Sequence, residues 1–363
     1  MDTRSKIFVA GGSGMVGAAI IRRLLAAGHT NIVSNYFSRP PLTPHESRIS
    51  FFRLDLTRQA EVEAFFEAHR PEYVFLAAAR VGGILANSTY KADFIYENLL
   101  IASNVIQSAF RYGAKKLLNL GSSCIYPKFA PQPLKEEYLL TGELEPTNEP
   151  YAIAKIAAIK LCRYYNEQHS TNFMSAMPTN LYGPNDNFDL MNSHVLPAMI
   201  RKFHEAKIRQ VKVEVKSKTG NPADENKLEA QGIDSSAPTS TSTSSSPVVT
   251  LWGTGAPFRE FLHVDDLADA CLFLMERYNA IDIGEFINIG SGSDLSIRDL
   301  AEKVRQIVGF KGEVHWDSTR PDGTPRKLLD VSRMKALGWE PKISLEQGIR
   351  ETYEWYLKTV NSN

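Results

Sequence analysis

The fold of this chain is decided by Lys6-Ile-Phe-Val-Ala10 and by the glycine-rich Gly11-Gly-Ser-Gly-Met-Val-Gly17 that follows. The first stretch is apolar and predicts a buried strand, and the run from Ala18 to Ala27 predicts an amphipathic helix. Glycines at 11, 14 and 17 permit a tight turn, close approach of the backbone to a pyrophosphate, and close packing of helix on sheet. Strand, glycines and helix come in the order that a dinucleotide site requires, with the phosphates at the helix N-terminus. The residues assigned to this site are Gly11, Gly12, Ser13, Gly14, Met15, Val16 and Gly17.

Strands and helices alternate through the first half of the chain. The pattern predicts strands at residues 31–36, 49–56, 73–79 and 116–120, and helices at 58–69, 94–112 and 151–168. Because the strands are nearly continuous apolar runs, we expect a parallel sheet covered by helices on both faces. The predicted class is α/β, a doubly wound, Rossmann-like parallel sheet with a smaller C-terminal α/β lobe for substrate. The dinucleotide-binding domain is placed at 1–183, with some later segments returning to it, and the substrate-binding lobe mainly at 184–363.

Residues 208–247 interrupt this alternation. Between Ser235 and Ser246, ten of the twelve residues are Ser or Thr, and no apolar periodicity is present. Such a composition cannot bury enough apolar surface to offset the entropy of ordering. We predict a flexible surface insertion, for which the functional alternative is a phosphorylated regulatory loop.

Composition narrows the classes of partner. With 41 Lys+Arg and 41 Asp+Glu in 363 residues, the formal charge is zero, so no global field favours nucleic acid or an anionic membrane. Cys124, Cys162 and Cys271 fit neither a disulfide framework nor a zinc pattern, which indicates a reducing compartment. The N-terminus shows no signal-peptide apolar region, and no apolar run reaches membrane-spanning length. We therefore predict a cytoplasmic protein without a metal, a membrane or a nucleic-acid partner.

The end of the second strand bears on the choice of cofactor. It carries Asn35 and Tyr36 where an acidic residue would bind the adenosine ribose 2′-hydroxyl, and Arg39 follows. A guanidinium suits a 2′-phosphate, so NADP(H) is favoured over NAD, the alternative being that Arg39 is a solvated loop residue. Asp55, near the end of the third strand, contacts the adenine or caps the following helix.

The chemistry is placed at the end of the fifth strand and at the start of the next helix. Ser122 follows the strand at 116–120, where its hydroxyl can hydrogen-bond a substrate carbonyl. Tyr151 and Lys155 are four residues apart in a helical pattern, so the ammonium can lie beside the phenol. Charges about 4 Å apart at an effective dielectric of about 20 interact by roughly 4 kcal/mol, enough to lower the phenol pKa by about three units. Tyr151 is therefore a candidate proton donor, although Tyr-x-x-x-Lys alone is also common on ordinary helix surfaces.

These motifs resemble a known family. The glycines at 11–17, Ser122 and Tyr151-x-x-x-Lys155 are similar to the extended short-chain dehydrogenase/reductases, and longer runs resemble the GDP-L-fucose synthase family within them. The similarity covers nearly the whole chain apart from the insertion. The matching runs are Ala77-Ala-Ala-Arg-Val-Gly-Gly-Ile84, Gly121-Ser-Ser-Cys-Ile-Tyr-Pro-Lys128, Glu145-Pro-Thr-Asn-Glu-Pro-Tyr-Ala-Ile-Ala-Lys155, Pro178-Thr-Asn-Leu-Tyr-Gly-Pro184, Asn192-Ser-His-Val195, Arg259-Glu-Phe-Leu-His-Val-Asp-Asp266 and Pro321-Asp-Gly-Thr-Pro-Arg-Lys-Leu-Leu-Asp330.

The resemblance implies an NADPH-dependent 3,5-epimerase and 4-reductase that acts on GDP-4-keto-6-deoxy-D-mannose as a homodimer. A base and an acid must move the protons at C3 and C5, and a thiolate at Cys124 and the imidazole of His194 suit these roles. Outside such motifs, a lone cysteine is usually a small buried hydrophobe and a lone histidine a loop residue. In this interpretation Tyr151 protonates the C4 oxygen, and Lys155 also holds the nicotinamide ribose.

The resemblance also assigns the binding residues. Cations would neutralise a diphosphate and an aromatic ring would stack on guanine, the alternative being that several of these cations form surface ion pairs. Lys202 occupies a position where other members can carry Arg, which weakens the case for bidentate phosphate binding there. Pro178, Thr179, Asn180 and Leu181 would line the nicotinamide, and the nucleotide-sugar contacts would be His194, Lys202, Trp252, Arg259, Asp322 and Lys327.

Two rival functions fit the same fold. One is an NAD-dependent nucleotide-sugar 4-epimerase or 4,6-dehydratase, but such dehydratases carry an Asp-Glu pair where this chain has Ser123-Cys124. The other is a non-catalytic NADP sensor, which has no need of a proton donor. The presence of Ser122, Tyr151 and Lys155 together opposes it.

Overall fold

The computed structural model describes residues 1–38, 40–41, 48–190, 192–219, 247–320 and 322–360. Its strands are β1 Ile7–Ala10, β2 Ile32–Tyr36, β3 Ile49–Arg53, β4 Tyr73–Leu76, β5 Lys116–Leu120, β6 Phe173–Pro178, β7 Asn180–Tyr182, β8 Val248–Trp252, β9 Phe258–His263, β10 Ile287–Ile289, β11 Asp294–Ser296, β12 Glu313–Asp317 and β13 Arg326–Lys327. Its α-helices are α1 Met15–Ala26, α2 Gln59–His69, α3 Ile84–Thr89, α4 Lys91–Arg111, α5 Glu149–His169, α6 Val195–Thr219, α7 Val264–Arg277, α8 Ala280–Ile283, α9 Ile297–Val308, α10 Ser332–Ala336 and α11 Leu345–Val360. Short 3-10 helices span Ser123–Ile125 and Glu136–Tyr138.

Seven parallel strands form the main sheet, in the order β10-β6-β5-β4-β1-β2-β3. Successive residues of β1 enter different apolar cores, Ile7 and Val9 on one face and Phe8 and Ala10 on the other. A strand buried on both faces requires a continuous apolar sequence, which is why the alternation of polar residues is missing. The predicted doubly wound parallel sheet is confirmed.

The strand order reverses at β1, and this reversal locates the site. From β1 the chain moves outward through β2 and β3 and then crosses to β4 and β5 on the other side. Open α/β sheets bind ligands in the crevice at such a switch point, beyond the carboxyl ends of the strands. The glycine turn after β1 and the segments after β4, β5 and β6 all lie at this edge.

Later segments return to the main sheet. The strand Ile287–Ile289 pairs with β6, and α7 packs on α1. Two arginines of α1 form ion pairs with α7, Arg22 with Asp265 at 2.5 Å and Arg23 with Asp269 at 2.8 Å. The return of later segments agrees with the predicted organisation, whereas the domain boundary at residue 183 stays a prediction.

A second lobe packs around its own core. In this lobe β9 pairs with β11, β13 and β7, while β8 pairs with β12. Helices α6, α9 and α11 cover a core that includes the buried Phe203, Leu300 and Ile349. This lobe places β9 and β13 beside the carboxyl edge of the main sheet.

Helix α6 is longer than the sequence analysis expected. It extends to Thr219, so residues 208–219 are helical although we placed them in the flexible insertion. This stretch contains neither Gly nor Pro, and its Lys, Arg, Gln and Glu residues have good helix propensity. Residues 220–246 lie outside the described part of the chain, so the predicted flexibility there stays a prediction.

In the described ranges, the structure contains no helix long and apolar enough to cross a membrane.

Candidate active site

The turn between β1 and α1 leaves room for a phosphate group. Gly11 has a φ of +86°, and a Cβ there would lie 2.9 Å from the Cα of Ala78. A Cβ at Gly17 would overlap the carbonyl oxygen of Gly11. At the N-cap residue Gly14 no side chain caps α1, and the first helical turn carries no acidic residue. The exposed N–H groups of this helix end therefore fit an anionic pyrophosphate.

Asn35, at the end of β2, is buried and bonded to the backbone of both neighbouring strand ends. Its Oδ1 accepts a hydrogen bond from Gly11 N at 2.8 Å, and its Nδ2 donates to the Leu54 carbonyl at 3.1 Å. The amide thus holds the glycine turn in place. Arg39 lies outside the described residues, so its contact with a 2′-phosphate stays a prediction.

Asp55 organises the turn that leads into α2. Its Oδ1 accepts hydrogen bonds from Thr57 N at 3.0 Å and from Thr57 Oγ1 at 2.7 Å. The helix N-cap is Arg58, so Asp55 is not the cap residue itself. The contact with adenine stays a prediction.

The structure brings Ser122, Tyr151 and Lys155 together beyond the end of β5. Ser122 is the N-cap of the short 3-10 helix, and its Oγ accepts a hydrogen bond from Cys124 N at 3.4 Å. Tyr151 and Lys155 lie one turn apart near the start of α5, with the lysine Nζ 5.7 Å from the tyrosine ring centroid. This Nζ donates to the Leu120 carbonyl at 2.7 Å. The last residue of β5 therefore anchors the lysine.

The prediction that Lys155 lowers the pKa of the Tyr151 phenol is wrong. Burial raises the pKa of Tyr151 and a nearby Cys124 thiolate raises it further, while a hydrogen bond with Ser122 offsets only part of this rise. Burial also lowers the pKa of Lys155 to about 8, which the Cys124 thiolate partly opposes. Attraction between the Lys155 ammonium and a Tyr151 phenolate would lower the phenol pKa, but the loss of hydration on burial has the larger effect on the pKa of both groups. The phenol therefore stays protonated, as a proton donor requires.

Cys124 lies in the same 3-10 helix and is buried, with 6% of its surface exposed. Burial raises the pKa of its thiol, and the ammonium groups of Lys327 and Lys155 and the Ser122 hydroxyl offset part of that rise. Cys124 and Lys327 line one small cavity between the 3-10 helix and β13. A buried thiol with two cations nearby differs from Cys162 and Cys271, which are buried without such partners.

His194 stands immediately before α6 and is exposed to the cleft. The protein around it restricts hydration and Lys327 adds positive charge, and both lower the pKa of the imidazole. The loop after β4 supports this segment, because Gly83 N donates to the Asn192 carbonyl at 3.1 Å. A Cβ at Gly83 would lie 2.8 Å from the carbonyl oxygen of Ser193. The glycine therefore permits the close approach that positions His194.

Residues 178–181 lie where β6 ends, at the edge of the sheet that carries the other site residues. Thr179 N donates to the Ile289 carbonyl at 3.0 Å, and Asn180 Nδ2 donates to the Glu260 carbonyl at 2.8 Å. The first bond links two parts of the main sheet, and the second joins this segment to β9 of the second lobe. The segment Pro178–Leu181 thus borders the cleft between the lobes.

Trp252, at the end of β8, offers an exposed aromatic face with cations around it. Lys202 Nζ lies 5.9 Å from its ring centroid, and the guanidinium carbon of Arg320 lies 5.0 Å from it. Lys202 also donates to the Thr250 carbonyl at 3.0 Å. The sequence analysis missed Arg320, which lies in a short loop with no periodic pattern to single it out.

Asp322 is engaged by its own chain. Its Oδ1 accepts from Thr254 N at 2.7 Å and its Oδ2 accepts from Thr254 Oγ1 at 2.8 Å, so the carboxylate shapes the turn after Trp252. Arg259 lies opposite Lys327 in the β9–β13 pairing, and burial lowers the pKa of its guanidinium. Arg259 and Lys327 are thus neighbours, and Asp322 serves first as a structural residue. The contacts of these residues with a substrate stay a prediction.

A cavity of about 280 Å³ shares Lys128 and Glu145 with the small cavity at Cys124, and these two charged residues were not among the predicted site residues. Glu145 is 14% exposed and forms an ion pair with Lys128, with Nζ and Oε2 3.0 Å apart. Both residues lie inside motifs already quoted, but charged residues in turns resemble ordinary surface positions. The cavity is lined by Ile84, Lys128, Glu145, Thr147, Asp322 and Gly323.

The parallel sheet, its uncapped glycine turn and the adjacent Ser122, Tyr151 and Lys155 define the short-chain dehydrogenase/reductase class. Comparison with known proteins agrees: the model for the NAD dependent epimerase/dehydratase family matches residues 7–223 and 237–290. The chain is 55% identical over 359 residues to GDP-L-fucose synthase 1 of Arabidopsis thaliana, covering 99% of this chain and 95% of the relative. It is 46% identical over 362 residues to the GDP-L-fucose synthase of Escherichia coli K12, covering 98% of each.

Solved structures give the same result. A GDP-mannoheptose C4 reductase from Campylobacter jejuni, solved with NADP bound, superposes with a TM-score of 0.79 at 39% identity. The match covers 98% of this chain and 99% of that chain. The chain belongs to the NAD dependent epimerase/dehydratase family and, within it, to the GDP-L-fucose synthases.

Proposed function

We propose that this protein converts GDP-4-keto-6-deoxy-D-mannose to GDP-L-fucose, by epimerisation at C3 and C5 and then reduction at C4 with NADPH. The observation that carries the proposal is the grouping of Ser122, Cys124, Tyr151 and Lys155 at the end of β5, opposite Lys327. Reduction alone needs the hydroxyl, the phenol and the lysine. The additional thiol provides a base for proton removal from carbon.

The glycine turn supports NADP(H) as the cofactor. Gly11, Gly12, Ser13, Gly14, Met15, Val16 and Gly17 would hold the pyrophosphate, Lys155 the nicotinamide ribose, and residues 178–181 the nicotinamide. Arg39 would contact the 2′-phosphate and Asp55 the adenine. When bound, NADPH supplies the hydride that reduces C4. The NADP-bound reductase with the same fold supports this choice of cofactor.

Epimerisation is assigned to Cys124 and His194. The C3 and C5 protons flank the C4 ketone, so their removal leaves an enolate whose oxygen Ser122 and Tyr151 can stabilise by hydrogen bonds. Cys124 removes a proton as the thiolate, and His194 returns one to the opposite face of the sugar. Because its pKa is lowered, the protonated imidazole is a stronger acid than an ordinary histidine.

Reduction at C4 is assigned to Tyr151. Its raised pKa keeps the phenol protonated, so it can donate a proton to the carbonyl oxygen as the ketone becomes an alcohol. Ser122 holds the same oxygen. Lys155, fixed by the Leu120 carbonyl, keeps its ammonium between the phenol and the end of β5.

Substrate binding is assigned to the second lobe. Trp252 presents an exposed ring on which guanine can stack, and Lys202, Arg259 and Lys327 supply positive charge for a diphosphate. Asp322 fixes the turn after Trp252 and accepts further hydrogen bonds with its remaining lone pairs. His194 would both contact the sugar and return a proton to its reacting carbon.

A homodimer is the proposed assembly. Helices α4 and α5 pack against each other, yet Tyr96 on α4 and Ile153 and Tyr164 on α5 remain exposed. Ile153 and Tyr164 share one face of α5 because their spacing is close to three helical turns. We propose that a second copy covers this face.

We also propose that the protein works in the cytoplasm. Its cysteines, all free and buried, support a reducing compartment.

The direct test is to incubate the protein with GDP-4-keto-6-deoxy-D-mannose and NADPH and to identify the nucleotide sugar that forms. The proposal expects GDP-L-fucose with one NADPH oxidised per product. A 4-epimer or a dehydrated sugar formed without net NADPH oxidation would identify one of the rival activities instead.

A further inference from the structure

The position of Cys124 raises the question of what makes this buried thiol a base. Lys327 of β13 and Lys155 of α5 are the cations that act on it, and the Ser122 hydroxyl and the Tyr151 phenol also interact with it. The other charged residues that line its cavity are Lys128, Glu145 and Arg326. A buried thiol without a cation keeps its proton at neutral pH. The base therefore depends on at least one of these two lysines.

Lys155 is poorly suited to be the main counter-ion. Its ammonium is committed to the Leu120 carbonyl at 2.7 Å. In the proposed reaction it also holds the nicotinamide ribose. Lys327 makes no such bond in the part of the chain that the structure describes, and it lines the same cavity as Cys124.

The backbone around Lys327 is held firmly. Leu328 N donates to Gln132 Oε1 at 2.9 Å, and Leu134 N donates to the Leu328 carbonyl at 2.7 Å. Leu329 N donates to the buried carboxylate of Glu260 at 3.0 Å. These bonds fix the backbone just after β13 against β9 and against the segment between the two 3-10 helices, so the lysine does not lie on a flexible loop.

Glu145 is the anionic partner that this cluster needs. Burial and the neighbouring Arg259 lower the pKa of Lys327, while Cys124 and Glu145 act in the opposite direction. The carboxylate of Glu145 is itself held by Lys128, and it lines the same cavity as Cys124 and Lys327. Among the described residues that line this small cavity, Glu145 is the one carboxylate, and it can keep a buried lysine charged.

We propose that Lys327 is the cation that stabilises the thiolate of Cys124, and that Glu145 acts through Lys327 as a positioning residue. The inference rests on the proposed epimerisation, since it explains how that step obtains its base. Lys327 thus has a role besides the contact with the nucleotide sugar. Glu145, which the motifs did not single out, becomes part of the same machinery.

The test is the pH dependence of Cys124 alkylation by iodoacetamide in the full-length protein without substrate. Lys327→Met should raise the thiol pKa by about one unit or more, which is a tenfold or greater loss of rate at neutral pH. Lys327→Arg, which keeps the charge, should stay within about threefold of the wild type. Glu145→Gln should shift the pKa in the same direction as Lys327→Met, but by less.

Two control variants test whether the alkylation rate reports the effect of Lys327 on Cys124. Lys128→Met removes a cation from the same cavity that reaches Cys124 only through Glu145, so its shift of the thiol pKa should be no larger than that of Glu145→Gln. Cys124→Ser measures the background from Cys162 and Cys271, which are 1% and 0% exposed. Circular dichroism of each variant shows whether it is folded, and if Lys327→Met is not, Lys327→Arg and Glu145→Gln decide the question.

An alkylation profile for folded Lys327→Met that matches the wild type would overturn the inference, as would equal shifts in Lys128→Met and Lys327→Met. If Lys327→Met does not fold, a wild-type profile in Glu145→Gln would overturn it as well. The assay is separate from catalysis. If the wild-type protein makes GDP-L-fucose but the pKa of Cys124 does not depend on Lys327, only the inference is refuted. If the pKa of Cys124 depends on Lys327 but the protein makes no GDP-L-fucose, only the proposed function is refuted.

Discussion

At the scale of the residue, burial rather than sequence spacing determines the proton affinities. Tyr151 and Lys155 are neighbours, as their spacing predicted, but both lose hydration, and the phenol pKa moves upward instead of downward. The result suits catalysis, because the acid must carry its proton until the carbonyl oxygen accepts it. A charged lysine in such a place should reduce the stability of the fold.

Replacing that lysine should therefore stabilise the protein. A pKa lowered from 10.5 to about 8 corresponds to roughly 3 kcal/mol, from which the lost hydrogen bond to Leu120 subtracts about 1 kcal/mol. Lys155→Met should thus be more stable than the wild type by about 2 kcal/mol in urea unfolding at neutral pH, while it loses reductase activity.

The pH dependence of this gain has a definite sign. Between the folded pKa of about 8 and the unfolded value of 10.5, only the unfolded wild-type chain stays protonated, so wild-type stability rises with pH across that window. The advantage of Lys155→Met should shrink over the same range. A variant that is less stable than the wild type at neutral pH would show that the hydrogen bond outweighs the desolvation of the charge.

At the scale of the element, the glycine turn depends on backbone contacts that leave no room for a side chain. A Cβ at Gly17 would overlap the Gly11 carbonyl oxygen, whereas a Cβ at Gly14 meets the same atom at an ordinary 3.4 Å. The two positions lie in one turn, Gly14 at the N-cap and Gly17 inside α1, and neither has a positive φ. They form a matched pair.

Gly17→Ala should lower the free energy of unfolding by about 1–3 kcal/mol, because rigid backbone cannot move away from the new methyl group. Gly14→Ala should change it by much less. Thermal unfolding of both variants without cofactor measures the difference, and equal stabilities would show that α1 moves to accommodate the methyl.

Some elements could be predicted to the residue and others could not. The strand Lys116–Leu120 has the predicted bounds, since its apolar residues and its end signals coincide. The strand Arg326–Lys327 was missed because two polar residues carry no periodicity. It exists only through its pairing with β9, which is a tertiary effect.

At the scale of the whole molecule, the sequence placed Ser122, Tyr151 and Lys155 correctly at one sheet edge, since βαβ topology alone brings strand ends together. The second lobe brings Lys327 to Cys124, and no local pattern specifies that meeting. Glu145 was missed for a related reason. A charged residue in a turn resembles a surface residue in the sequence, and its burial depends on the other lobe, which covers it.

The insertion should contribute little to this architecture. Its composition cannot support packing, so replacing residues 220–246 with a short Gly-Ser linker should leave the thermal midpoint and the turnover close to wild type. The helix that precedes it ends at Thr219 and the strand that follows begins at Val248, so the deletion leaves both elements complete. A large fall in both quantities would show that the segment packs on the folded protein.

In the proposed mechanism, epimerisation and reduction share one cleft but use different residues. The most direct measurement is hydrogen exchange at C3 and C5 of the keto sugar in deuterated water without NADPH, alongside single-turnover hydride transfer. Wild-type protein should exchange both positions. Cys124→Ser should largely lose the exchange, because a hydroxyl is a far weaker base than a thiolate, and should still bind NADPH. Tyr151→Phe should retain measurable exchange while hydride transfer falls by about two to four orders of magnitude. Exchange of both positions at the wild-type rate by Cys124→Ser would contradict the account.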